Sequence, residues 1–266
     1  MIIIGEKING SIPSVAKAIA EKDGDWIRNL AKMQAEAGAD FIDVCASVKD
    51  HEVETLHWLI DRVQEAADTP ISIDSPNPAA CVAAMEFCRR PGMINSVSME
   101  GNKVEIVFPA IAETDWQCVA LLCSKGIPAS AEERLEIFAQ LMEKAQEYQI
   151  PANRLHIDPL VEMLCTADDG ITTVVDVIRE IREKQPDIHV TGAVSNISFN
   201  LPVRRLLNQA FLTLAINAGM DSGVMDPTNR DLLGIMYATE AMLGQDDYCM
   251  EYIGAYREGK FGPIKE

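Results

Sequence analysis

Residues able to hold a ligand or move a proton recur at one kind of place in this chain, the end of a short β-branched run. Glu6 and Asn9 follow the first run, Asp43 lies in the second, Asp74 and Ser75 close the third, and Asn95 and Ser96 lie in the fourth. Ser124 and Lys125 follow the fifth, Asp158 closes the sixth, Ser195 and Asn196 close the seventh, and Asp226 closes the eighth. Any one of these could simply cap the helix that follows it. Their repetition argues for a shared site, and Asp43 and Asn95 sit inside apolar runs, where a carboxylate or an amide needs a partner.

The set is one of carboxylates and amides. It suits a flat, nitrogen-rich heterocycle, because carboxylates accept from amidine-like N–H groups while an amide donates and accepts on adjacent edges. The 2-amino-4-oxo-pyrimidine edge of a pterin matches that inventory. Other chemistries find less support. His51, His57, His156 and His189 are not spaced as metal ligands, and no metal site is expected. Cys45, Cys81, Cys88, Cys118, Cys123, Cys165 and Cys249 include no C-x-x-C pair. There is no nucleophile elbow, no G-x-G-x-x-G after a strand and no G-x-x-x-x-G-K-[ST] loop.

The elements that must position these residues follow a rhythm. Apolar runs at 2–5, 40–46, 70–74, 93–98, 118–123, 155–158, 188–196 and 221–226 start 23 to 38 residues apart and alternate with stretches of helical period. Trp26, Leu30, Met33 and Ala37 form one predicted buried stripe, and Leu56, Leu59, Ile60 and Val63 another. Further stripes are Leu135, Phe138, Leu141, Met142 and Ala145; Val174, Val177, Ile178 and Ile181; and Leu207, Ala210, Phe211, Leu214 and Ala218. Eight βα units in about 250 residues predict an α/β fold, a single-domain (βα)8 TIM barrel over 1–266. In such a barrel, catalytic groups gather at the C-terminal strand ends, where the polar residues fall. His156 shares strand parity with Asp158 and is expected inside the barrel in a packing role. The helical stretches after residue 229 would complete the outer ring or meet a partner subunit.

Composition narrows the partners. The chain has 266 residues, 48% apolar, with 23 basic against 41 acidic residues and a net charge of −18. That balance argues against a nucleic-acid partner and an anionic membrane surface. No apolar run reaches the roughly 20 residues of a membrane span, and the opening MIIIGEKING lacks the marks of a signal peptide. Dispersed cysteines, odd in number, fit a reducing cytoplasm.

Several stretches carry a resemblance: IIIGEKING, FIDV, SIDS at 72–75, MINS at 93–96, SKGIP at 124–128, LHIDPLV at 155–161, VSNISFNLPVR at 194–204 and GMDSG at 219–223. In order and spacing the chain resembles the pterin-binding methyltransferases that move a methyl group between methyltetrahydrofolate and a corrinoid protein. These include the acetogen enzyme serving the corrinoid iron–sulfur protein and the folate domain of cobalamin-dependent methionine synthase. The resemblance implies a homodimeric TIM barrel, with tetrahydrofolate or 5-methyltetrahydrofolate as substrate and the corrinoid (cobalamin) carried by a partner protein. It implies that Asp74, Asn95 and Asp158 hold the pterin and that Asn196 approaches N5, the methyl-bearing atom. Glu6, Asn9, Asp43, Ser96 and Ser195 are expected around the same cavity, and Arg204 or Arg205 at the folate tail. One departure is Cys45-Ala46-Ser47, where relatives carry an Asn soon after the strand 2 aspartate. The direction favoured is from methylcorrinoid to tetrahydrofolate, as in methylamine-type catabolism, with the acetogenic direction as the alternative. The rivals are a dihydropteroate synthase-like enzyme, against which the N-x-T-P-D-S-F loop is missing, and a non-catalytic folate-binding or corrinoid-docking subunit.

Overall fold

The computed structural model describes residues 1–48 and 50–263. Eight parallel strands alternate with helices: β1 (Ile2–Asn9), β2 (Phe41–Cys45), β3 (Ile71–Asp74), β4 (Met93–Val97), β5 (Gln117–Leu121), β6 (Leu155–Asp158), β7 (His189–Val190) and β8 (Ser222–Met225). The order β7-β6-β5-β4-β3-β2-β1-β8 places the first and last strands side by side. The ring closes through Asp221 N to Val190 O at 3.2 Å, Val224 N to Gly192 O at 3.0 Å, and an Ala193–Val224 bridge. The expected (βα)8 barrel is therefore the fold. One expected strand is shorter than its apolar run. After Val190 the chain bends through Gly192 and Ala193 into a 3-10 turn at Val194–Ser198, so Ser195 and Asn196 stand on a turn and do not end a strand.

The outer helices are α1 (Pro13–Glu21), α2 (Gly24–Glu36), α3 (Glu52–Ala66), α4 (Pro78–Met85), α5 (Lys103–Ile111), α6 (Ala131–Glu147), α7 (Thr172–Lys184), α8 (Arg204–Ala218), α9 (Arg230–Met242) and α10 (Met250–Arg257). Their starts are read from local chemistry. Asp23 accepts from Trp26 N at 3.0 Å, and Ser130 accepts from Glu133 N at 3.2 Å while the Glu133 carboxylate accepts from Ala129 N at 2.9 Å. The apolar stripes at 56–63 and 174–181 are buried as expected. Two others are rotated. On α2 the inward face is Ile27, Leu30, Ala31 and Gln34, leaving Trp26 44% and Met33 41% exposed. On α8 it is Phe211, Leu212, Ala215, Ile216 and Ala218, with Ala210 and Leu214 outside. On α8 the two neighbouring stripes carry similar apolar content and contact with the barrel selects between them, whereas on α2 the buried face includes the polar Gln34, which bonds Lys7 N.

The main core lies between sheet and helices, and a smaller cluster of Ile4, Phe41, Met93 and Val119 fills the barrel lumen. Toward the N-terminal end the lumen turns polar. His156 is fully buried there, with Nδ1 on Ser222 Oγ at 2.9 Å and Nε2 on Gln117 Oε1 at 2.6 Å. Burial drives its pKa down to about 3, with His189, stacked on it at 4.6 Å, adding to the effect.

Candidate active site

The lumen opens at the C-terminal ends of the strands into a cavity of about 610 Å³. Parallel register aligns its floor. Cys45 pairs with Asp74 and Asp74 with Asn95, while Leu121 pairs with Asp158. Glu6, Asn9, Asp43, Asp74, Asn95, Ser96, Asp158, Ser195, Asn196 and Arg204 all border this one space. Strand 5 departs from the expected ring. It contributes Val119 and Leu121, whereas Ser124 and Lys125 lie away from the cavity.

The carboxyl groups are individually held. Asp43 Oδ1 accepts from Ser72 Oγ at 2.6 Å and from Asn95 Nδ2 at 3.1 Å. This fixes the Asn95 amide, and burial followed by the charge of Asp74 holds the Asp43 carboxyl well above the usual range. Burial raises Asp74 as well, opposed by the Cys45 thiol, which donates to it. Asp158 Oδ1 accepts from Leu160 N at 2.7 Å, and burial pushes its pKa to about 6. A cluster of acids in a poorly hydrated space favours ligands that bring N–H donors.

Cys45 stands where the resemblance led one to expect an Asn nearby. Its Sγ lies 3.2 Å from Ser47 Oγ, and burial and the charge of Asp74 push the thiol up to about 12. It is a hydrogen-bonding partner of the floor and not a nucleophile.

Lys7 and Asp226 border the cavity too, and strand alternation hides Lys7. Between Gly5 and Ile8 the β1–β2 register slips, so three steps on β1 match two on β2. This bulge turns the adjacent Glu6 and Lys7 to the same side. Gln34, fully buried, supports it by accepting from Lys7 N at 3.1 Å. A Cβ on Gly5 would lie 2.5 Å from the same Gln34 oxygen, which is why glycine stands there. Lys7 Nζ then donates to Asp226 Oδ2 at 2.8 Å.

Arg134 was missed too, though a signal existed. It stands at i, i+4, i+7, i+11 with Phe138, Leu141 and Ala145, a cation in an apolar stripe. It is 2% exposed and donates to the carbonyls of Pro159 at 2.6 Å and Leu160 at 3.0 Å, and to Glu162 Oε1 at 2.5 Å. Arg204, expected at the folate tail, donates to Ser198 Oγ at 2.9 Å and Ser195 O at 2.8 Å and covers the Phe199 ring at 4.6 Å. It braces the Asn196 turn. Arg205 pairs with Asp231 at 2.9 Å, outside the cavity.

The family model of pterin binding enzymes matches residues 7–226, which contain nearly all of this cavity. The chain belongs to the pterin-binding enzyme family. Across its whole length it is 49% identical to the methylcorrinoid:tetrahydrofolate methyltransferase of Eubacterium limosum, covering 99% of that protein. It is also 29% identical over 241 residues to the methionine synthase of Mycobacterium tuberculosis, of whose length the match spans a fifth. Among solved structures, dihydropteroate synthase of Yersinia pestis superposes with a TM-score of 0.64 at 15% identity, covering 91% of this chain and 94% of that one. The enzyme from Xanthomonas albilineans gives 0.62 at 20%, covering 92% of each. These structural likenesses confirm the pterin-binding enzyme's barrel.

Residues 187–192, DIHVTG, have the D-x-H-x-x-G spacing of cobalamin-binding modules. Here His189 belongs to β7, its Nδ1 is 2.8 Å from Asp221 Oδ2, and its ring stacks on His156. It lies outside the cavity, in the polar N-terminal half of the barrel. Among the described residues no group of three or more His, Cys, Asp or Glu is arranged to hold a metal ion.

Proposed function

We propose that this chain is a methyltransferase that moves a methyl group from a methylcorrinoid, carried by a partner protein, to N5 of tetrahydrofolate. Residues 1–266 act in it as one pterin-binding domain. The observation that carries the reading is end-to-end similarity, 49% identity over the whole chain, to a methylcorrinoid:tetrahydrofolate methyltransferase. It favours transfer toward folate and stands against the dihydropteroate synthase-like alternative, whose structural likeness at 15–20% identity speaks for the fold alone.

In this reading Asp74, Asn95 and Asp158 hold the pyrimidine edge of the pterin, with Asp43 fixing the Asn95 amide. Asn9, Ser96 and Ser195 complete the wall. Asn196, on its turn braced by Arg204, faces N5. The methylcorrinoid supplies an electrophilic methyl group; the protein's task is to aim the N5 lone pair at it and exclude competing geometries. An amide suits this position because it bonds N5 without bringing a charge of its own, and the acidic cavity tolerates positive charge developing on N5.

The corrinoid protein meets the open mouth of the barrel. A second copy of the chain is proposed to cover Leu206, Leu214, Met242, Leu243, Met250 and Ile253, large exposed apolar residues of α8 to α10 and the turn after α9. The net charge of −18 disfavours nucleic acid, and among the described residues no helix is long and apolar enough to cross a membrane. The cytoplasm, with its reduced thiols, is the proposed compartment.

The test is anaerobic mixing of the protein with methylcobalamin and tetrahydrofolate. Loss of the methylcobalamin spectrum with stoichiometric 5-methyltetrahydrofolate is the expected result. Folate binding without any change at cobalt would identify the non-catalytic alternative.

A further inference from the structure

Methylation of tetrahydrofolate at N5 releases the proton that N5 carried. Asn196 cannot take it, since an amide is not a base at neutral pH. Most of the cavity carboxyls are already engaged. Ser72 and Asn95 hold Asp43, the Cys45 thiol holds Asp74, Leu160 N–H holds Asp158, and Lys7 and Thr228 hold Asp226. Glu6 differs. It accepts from Ser195 Oγ at 3.2 Å, on the turn that carries Asn196, whereas Asp74 and Asp158 are proposed to hold the pterin and Asp43 to fix the Asn95 amide. Ser195 is the neighbour of Asn196 on the same turn, so Glu6 is tied to the segment proposed to face N5.

We infer that Glu6 accepts the N5 proton during methyl transfer, an inference that rests on the function proposed above. The N5 lone pair forms the N–CH3 bond, the Co–C bond breaks with its electron pair left on cobalt, and the N5 proton passes to the Glu6 carboxylate. The resulting acid loses its proton to solvent through the open mouth. Ser195 orients the carboxylate, and the bulge at Gly5–Ile8 is what turns Glu6 into the cavity beside Lys7.

The charges around Glu6 come from every neighbouring element. Lys7 lies on β1, Asp43 on β2, Arg204 at the start of α8 and Asp226 after β8. Burial dominates and raises Glu6 to about 7, with Asp226 adding to it and Ser195, Lys7 and Arg204 opposing. A base is most effective when its pKa lies near the working pH.

The test is single-turnover transfer from methylcobalamin to tetrahydrofolate across pH 5.5–8.5, with folate affinity measured by calorimetry. The wild-type rate is expected to rise with pH, with its midpoint near 7, because only the ionised carboxylate accepts a proton. Glu6→Gln should lower the plateau rate by about 10²–10⁴-fold and flatten the rise, with folate affinity little changed. Ser195→Ala removes a bond to the charged form and should move the midpoint upward. A Glu6→Gln rate and midpoint equal to wild type would overturn the inference. If Glu6→Gln fails to fold, an unmoved midpoint in Ser195→Ala does so instead. Absence of transfer by the wild-type protein would sink the proposed function itself, a result distinct from either.

Discussion

The guanidinium of Arg134 donates to the carbonyl of Pro159 at 2.6 Å, on the residue that follows Asp158. Asp158 in turn accepts from Leu160 N, so this short segment is gripped from both sides and the carboxyl group is aimed by a helix that never reaches the cavity. Leu160 has φ of +68°, a left-handed conformation that a leucine keeps only when its surroundings hold it. Arg134→Met should destabilise the protein by about 1.5–3 kcal/mol through the loss of charge-assisted bonds to buried carbonyls. It should also weaken folate binding, whereas Arg134→Lys restores part of both. Chemical denaturation and calorimetry on the same samples check this.

Asp158→Ala should weaken folate binding by roughly 5- to 150-fold, the effect of about 1–3 kcal/mol for one lost partner in a buried set. The pH dependence has a definite sign. A pterin N–H edge needs the ionised carboxylate, and burial has raised Asp158 to about 6. Affinity should therefore fall as pH drops through 6, and this component should be missing in Asp158→Asn. An unchanged affinity in folded Asp158→Ala would remove the residue from the site.

Asn196→Ala should slow single-turnover methyl transfer by about 10²–10³-fold, the range found when one preorganised donor is removed from a transition state. Folate affinity should change much less. A capping role would predict the reverse pattern, lower stability with transfer intact. The residue before α8 is Val203, with no side-chain cap, and the 3-10 turn uses the backbone of Asn196 and not its amide. Rapid mixing with methylcobalamin and a melting curve separate the two outcomes.

His156 should remain neutral from pH 8 to 5, visible as constant ring nitrogen shifts by NMR, because its folded pKa is about 3. In the unfolded chain it takes up a proton near 6.5. Between those values the unfolded state binds more protons, so this residue costs stability as pH falls, by up to about 1.4 kcal/mol per pH unit. Glu6 and Asp158, raised to about 7 and 6, act with the opposite sign above the ordinary carboxylate range. His156→Gln should therefore reduce the loss of stability on acidification.

What the sequence determined by itself follows from period and repetition. The alternation of short β-branched runs with helical stripes admits few solutions at this length, and a closed parallel barrel gathers the polar ends of most strands around one mouth. Asp74, Asn95 and Asp158 were legible for that reason, since each ends or interrupts a run whose boundaries are local. Tertiary structure decided what depends on register and on contacts between distant segments. Lys7 faces the cavity because β1 bulges against β2 and Gln34 fills the gap, which strand alternation alone contradicts. Arg134 reaches the segment after Asp158 from a helix 24 residues earlier in the chain. Trp26 and Met33 lie outside because the face of α2 that meets the barrel carries Ile27, Leu30, Ala31 and Gln34, with Gln34 drawn in by its bond to Lys7 N. Strand 7 stops at Val190 because the chain there turns across the barrel end to present Ser195 and Asn196. Local sequence encodes the tendency of each segment, but only the closed ring of hydrogen bonds sets which side chains from different segments share one small, poorly hydrated space.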